Sequence, residues 1–301
     1  MSTIAWTRRR RAFTRGWGQY RRDREGIVGL VVLALFVAVA LGASLIADPE
    51  DLRAITADVK DYPRWAPPSE FALLGTDNLG RPIWDQLVYG SQVSLMVGIA
   101  ATLIAIVIGT VVGAAAGFFG GWTDAALSRL MEWFLVIPFL PLAIVLAAVL
   151  GPSLQNIVLV IGITSWPVTA RLIRAQVLTI KQRLYVERSR ALGASSGHII
   201  GKHVLPNVMP LVIANATLTV PVAILSETAL AFLGLGDPLR VSWGSMLEES
   251  FDAGALGREA WWWYLPPGLC VIGLVLAFTL VGRALEGVLD PRLRDSHAVG
   301  R

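Results

Sequence analysis

The chain has 301 residues, of which 54% are hydrophobic and only 16% charged, and its mean hydropathy is +0.60. A soluble domain carries about 25% charged residues, so this composition excludes an ordinary soluble enzyme and a disordered chain and points to a protein whose solvent is mostly lipid. The net charge of +4 and isoelectric point near 9.6 arise from blocks of charge between apolar runs, and that placement speaks for a membrane protein rather than a nucleic-acid partner. One cysteine, Cys270, leaves no intrachain disulfide and no cysteine metal cluster. His198, His203 and His297 form no recognisable ligand set.

Residues 1–25 form a basic tail with eight arginines. Its Arg10-Arg11-Ala12-Phe13 resembles part of a twin-arginine signal, but the apolar run that follows is too long for a signal core, so the first span is expected to stay in the protein. That run, 26–47, holds 22 uncharged residues, enough at about 1.5 Å per residue to cross a hydrocarbon layer of about 30 Å. Further spans are expected at Val93–Phe119, at Trp133–Leu150 with a bend at Pro138 and Pro141, at Ile157–Ala170 running on toward Ile180, at Val208–Leu233, and at Leu265–Val281. Runs this long without alternation predict helices, because backbone groups in lipid must pair internally. The expectation is an all-α integral membrane protein with six transmembrane helices.

Charge sets the sidedness. The loop 48–92 has eight acidic and four basic residues, and 234–264 has five acidic and two basic. The stretch 171–206 has seven basic residues against Glu187 alone. Both tails (1–25 and 284–301) and the 171–206 stretch are therefore expected on the cytoplasmic side, and the two acidic loops outside.

The segment 179–206 is more than a connection between spans. Residues 179–192 contain good helix formers and no proline, Gly193 suits a helix stop, Ser195 or Ser196 can cap a second short helix, and Pro206 would bound it. Small or apolar Leu184, Ala191, Leu192 and Ala194 lie among Glu187, Arg188 and Arg190. The segment reads either as a docking knob for another protein or as an interfacial amphipathic helix.

Glu187-Arg188-Ser189, three residues, Gly193, nine residues, and His203-Val204-Leu205-Pro206 resemble the EAA loop of bacterial ABC-importer permeases. The match is at Glu187, Gly193, Leu205 and Pro206; Arg188 and Ser189 replace the two alanines and His203 replaces an isoleucine. Three more stretches in order, Leu74–Leu95, Glu227–Gly236 with Ser242–Leu247, and Leu289–Arg294, resemble the C-type permease of oligopeptide, dipeptide and nickel importers over residues 20–295.

That resemblance implies a type I ABC importer permease (MetI-like) bundle, with a core at 93–283 that carries the cytoplasmic coupling loop 179–206. It implies a second homologous permease chain, two cytoplasmic ATPases that bind ATP and magnesium, an extracytoplasmic peptide-binding protein, and alternating access driven through the loop. Glu187, Arg188, Ala191, Gly193, Ala194, Leu205 and Pro206 become the implied ATPase-coupling residues. No Walker A loop is present, since Ser196 stands where the first glycine before Gly201-Lys202 should be. Gly193-Ala194-Ser195-Ser196-Gly197 lacks the preceding strand of a nucleophile elbow. The chain is therefore read as a non-catalytic subunit without a cofactor of its own. Import of nickel or another small solute, and an ATP-independent transporter or channel, are the alternatives.

Ionisable residues inside spans are costly and so carry information. Glu227 either lines the substrate path and binds a peptide amine, or is paired structurally. Arg171 and Arg174 are expected to reach the headgroups, and Asp124, Arg129 and Glu132 to form local salt bridges. Trp261, Trp262, Trp263 and Tyr264 are expected in an interfacial aromatic belt, or as a docking surface for the binding protein. Gly109, Gly113 and Gly117 mark a face for close helix approach, to a span of this chain or to the second permease.

Overall fold

The computed structural model describes residues 17–48, 63–70 and 72–289, and every regular element among them is a helix. Most of both tails, Arg10–Phe13, residues 49–62 and the stretch after Leu289 lie outside the described residues.

Helix α1 is Arg24–Leu41, capped by Asp23, whose Oδ1 accepts from the Gly26 amide at 3.0 Å. A short α2, Ala43–Ile46, follows. Gly26 and Gly29 let α1 lie directly on the last helix, where Ala277, Leu280 and Ala284 would collide with any added Cβ. Helix α3 spans Ile83–Phe119, 37 residues, beginning ten residues before the expected Val93. Its first turns carry Asp85, Gln86, Ser91 and Gln92, which hide the helix from a hydropathy count but turn Gln86 and Ser91 into the protein interior.

The third span is two helices, α4 (Gly121–Val136) and α5 (Phe139–Leu150), bent by 88° at Ile137-Pro138. Pro138 sits at the N-cap of α5 in extended conformation, where its fixed φ and missing N–H stop one helix and start the next. Helix α6 is Leu154–Lys181, capped by Ser153 and carrying Pro167 internally. Two short helices follow, α7 (Leu184–Ala191) and α8 (Ser196–Ile199). The latter passes through a π-helical turn, Ile200–Val204, into α9, Leu205–Leu230. Pro206 therefore does not bound the second short helix as expected. It lies in the first turn of α9, where the wide turn before it absorbs the missing donor. A second π-helical turn, Ala231–Leu235, ends α9 at Gly234, which has φ +75°. Helices α10 (Trp243–Asp252) and α11 (Trp261–Leu289) complete the chain.

Among the described residues five helices are long and apolar enough to cross a membrane, and six spans result when the bent α4–α5 pair counts as one. The tightest pair is α3 on α6. A Cβ at Gly113 would stand 2.3 Å from the Ala170 carbonyl oxygen, and Gly109 and Gly117 meet Thr169 and Val177 almost as closely. The small-residue face thus serves packing within this chain. Arg174 differs from its expected headgroup role. Its Nε and Nη2 donate to the two Asp124 oxygens at 2.5 and 2.7 Å, clamping α4 to α6. Arg129 and Glu132 pair at 3.2 Å on the exposed side of α4.

Candidate functional site

Two features stand at opposite ends of the bundle. The first is the α7–α8 elbow, where α6 ends and α9 begins. Its underside is apolar: Val186, Ile199 and Val204 are 0–1% exposed and pack with Ile173, Val177 and Phe118 of α6 and α3. Its outer surface is the reverse. Leu192 is 88% exposed and Leu184 70%, with Glu187, Arg188, Arg190, Ala191 and Gly193 exposed around them. Ala194 and Leu205 are half-buried, and Pro206 is exposed.

The corner is a Schellman turn. Gly193 N–H donates to the Arg190 carbonyl and Ala194 N–H to the Ser189 carbonyl, with Gly193 at φ +80°. An L-residue resists that φ, which accounts for glycine here. Ser195 Oγ then accepts from His198 N–H at 3.3 Å and starts α8. Arg190 lies over the Phe118 ring, 5.9 Å from its centroid, tying the corner to the end of α3. The implied coupling residues Glu187, Arg188, Ala191, Gly193 and Ala194 are therefore gathered on one projecting corner, while Leu205 and Pro206 sit at its return into α9. Leu184 and Leu192, named in the sequence only as apolar neighbours, are the most exposed apolar side chains on it.

The second feature is a cleft of about 550 Å³ at the far end, bounded by the start of α3, the end of α9 and α10. Its rim is held by a charged network that the sequence reading did not assemble. Asp77, fully buried, accepts from the Leu79 and Arg81 amides at 2.8 Å, from Arg81 Nε at 2.5 Å and from Gln86 Nε2 at 2.9 Å. Arg81 Nη2 donates to Glu249 of α10. Burial pushes the Arg81 guanidinium down, but Asp77 and Glu249 outweigh it and hold the group above its ordinary value. On the cleft wall, Asp237 Oδ2 accepts from Leu154 N–H at 3.0 Å, capping the start of α6.

Glu227 does not line this cleft. It is 1% exposed, enclosed between α3, α9 and the start of α10, beside Ser94 and Ser242, with no cation against it among the described residues. The tryptophan run also departs from a simple belt. Trp263 is fully buried and meets Trp65 edge-on at 5.3 Å, and Trp262 Nε1 donates to the Thr76 carbonyl at 3.2 Å. Trp261 alone of the three indoles is half exposed. The 63–82 segment supplies the carbonyl and ring that draw Trp262 and Trp263 inward, and hydropathy cannot show that contact.

The comparisons with known proteins agree on one kind of protein. The family model described as binding-protein-dependent transport system inner membrane component matches residues 105–295. A dipeptide transport system permease protein, DppC, of Alkalihalophilus pseudofirmus is 36% identical over 92% of this chain and 89% of its own length. An oligopeptide transport system permease protein, OppC, of Bacillus subtilis is 35% identical over 92% of this chain and 88% of its own. A di/tripeptide transport system permease protein, DppC, of Pseudomonas aeruginosa is 36% identical over 93% and 92%. Among solved structures, the MetNI methionine ABC transporter in inward-facing conformations is similar with a TM-score of 0.54 and 22% identity, covering 69% of this chain and 98% of that one.

Proposed function

Because this chain belongs to the family of binding-protein-dependent transport system inner membrane components, we propose that it is one of two permease chains of a peptide importer. The α7–α8 elbow is its contact with a separate ATPase. The observation that carries this reading is the elbow's division into a fully buried base and a projecting corner. A lever must be stiff where it joins the spans and bare where it meets its driver, and Val186, Ile199 and Val204 against Leu184 and Leu192 give that division. Glu187 and Arg188 have no ion-pair partner among the described residues and offer charge-assisted hydrogen bonds to the ATPase. Gly193 holds the corner, and Leu205 and Pro206 pass its movement to α9.

On this reading ATP and magnesium are held by the two ATPase subunits, the elbow and both tails face the cytoplasm, and an external binding protein delivers the cargo. The peptide assignment rests on the names of the relatives, which are dipeptide, oligopeptide and di/tripeptide permeases. Purification through a tag on this chain, followed by mass spectrometry, should recover two ATPases and a second permease; recovery of the chain alone, in lipid, defeats the reading. A Gly193→Pro chain should assemble in the membrane yet abolish peptide uptake, since proline cannot adopt the left-handed φ. Cysteines introduced at positions 60 and 190 should label from opposite sides of the membrane.

A further inference from the structure

The far-end cleft has nearly all of its polar lining already engaged. Arg81 is taken by Asp77 and Glu249, and Glu249 by Arg81. Asp237 accepts from the Leu154 and Leu239 amides. Tyr89 and Gln92 donate to the Ala47 and Ala40 carbonyls, and Ser245 to the Ser242 carbonyl. Two charged side chains facing the cleft remain: Glu248 and Arg240, one of each sign. Neither side chain has a hydrogen bond or ion pair among the described residues, and they do not pair with each other. Burial first, then Asp252 and Glu249, pushes the Glu248 carboxyl up, and a cation beside it would offset that strain. A space of about 550 Å³ lies within the range of small-ligand sites, roughly 300–1,000 Å³.

We propose that this cleft is a transit site for short zwitterionic peptides, with Glu248 receiving the terminal ammonium and Arg240 the terminal carboxylate. The proposal rests on the peptide-importer reading above. It adds that this chain itself reads the two ends of its cargo after release from the binding protein. The apolar wall beside the two charges, Val93, Ala231, Leu239 and Val241, suits side chains of mixed character.

The test uses the assembled importer in lipid nanodiscs without its binding protein, titrated with L-alanyl-L-alanine and with its N-acetyl derivative. Dialanine should bind wild type. Glu248→Gln and Arg240→Gln should each weaken it about tenfold or more, as expected for loss of a charge-assisted contact. N-acetyl-dialanine should bind wild type as weakly as dialanine binds Glu248→Gln. Its binding should be unchanged by Glu248→Gln and weakened further by Arg240→Gln. Equal dialanine affinity in wild type and both variants, or no effect of acetylation, overturns the proposal. So does wild type that binds no dialanine. An importer that assembles and, in sealed proteoliposomes with its binding protein and ATP, takes up peptide normally while giving any of these results sinks the cleft assignment alone. Failure of assembly or uptake in wild type sinks the peptide-importer reading instead.

Discussion

The two ends of the bundle are fixed by opposite means. At the elbow the chain is held mainly by shape: Val186, Ile199 and Val204 sink into α3 and α6, and the one charge turned toward the bundle, Arg190, meets the Phe118 ring rather than an acid. At the cleft it is held by charge: Asp77, Arg81, Gln86 and Glu249 join the 63–82 segment, α3 and α10. Apolar burial is non-directional and tolerates small shifts. A buried charged network is satisfied in one geometry only and is costly when broken. The elbow's grip therefore depends on no single polar geometry, whereas the cleft end is locked in register.

That contrast can be broken most severely at Asp77. Asp77→Ala leaves Arg81 and Gln86 without their shared acceptor and should destabilise the chain by about 3–5 kcal/mol, seen as a large fall in melting temperature of the detergent-solubilised importer. A loss below ~1 kcal/mol would mean that the network is not what holds this end. Ile199→Ala tests the apolar anchor and should cost about 2–4 kcal/mol, insensitive to salt. Gly193→Ala meets no neighbour within 4 Å but keeps φ at +80°, so it should cost about 1 kcal/mol and reduce uptake more than that figure suggests if the corner transmits force. Leu192→Asp should change stability by under about 0.5 kcal/mol while abolishing transport-coupled ATP hydrolysis; full coupling in that variant would remove the elbow from the ATPase contact. The smallest effect is expected at Glu248. Its raised carboxyl value means that ionisation penalises the folded chain, a penalty absent at low pH and fully present once pH exceeds the folded-state value. Glu248→Gln should then melt slightly higher than wild type at pH 8 and indistinguishably at pH 4.

The sequence made the apolar half of this architecture legible. Uncharged runs marked the spans, Pro138 and Pro141 a bend, Gly193 the corner, Ser195 or Ser196 a cap, and Gly109, Gly113 and Gly117 a face for close approach, because each effect is local or periodic; that α6 meets this face was not legible. The cleft end was not legible. Arg81 and Glu249 are 168 positions apart, and Asp237 caps a helix 83 positions before it. Nothing in composition or period announces pairs that only the closed bundle brings together. The first turns of α3 were missed for the same reason, since their polar residues look like a loop until their partners are in place. Arg174 likewise read as a headgroup anchor until α4 brought Asp124 beside it.

One further consequence concerns the wide turn at Ile200–Val204. Ile199 and Val204 both point into the interior though five positions separate them. On a regular helix of about 100° per residue they would diverge by about 140°, and one of the two would be stranded in water. The extra residue brings them back into line. Excising Gly201, whose surroundings are open, would convert the stretch to ordinary α-helix and leave the two anchors four apart, still on one stripe. The grip on the bundle would survive while the corner beyond it was re-aimed by about 1.5 Å and a fraction of a turn. The bulge is thus a phase adjuster: it sets where the knob points, independently of how firmly it is rooted.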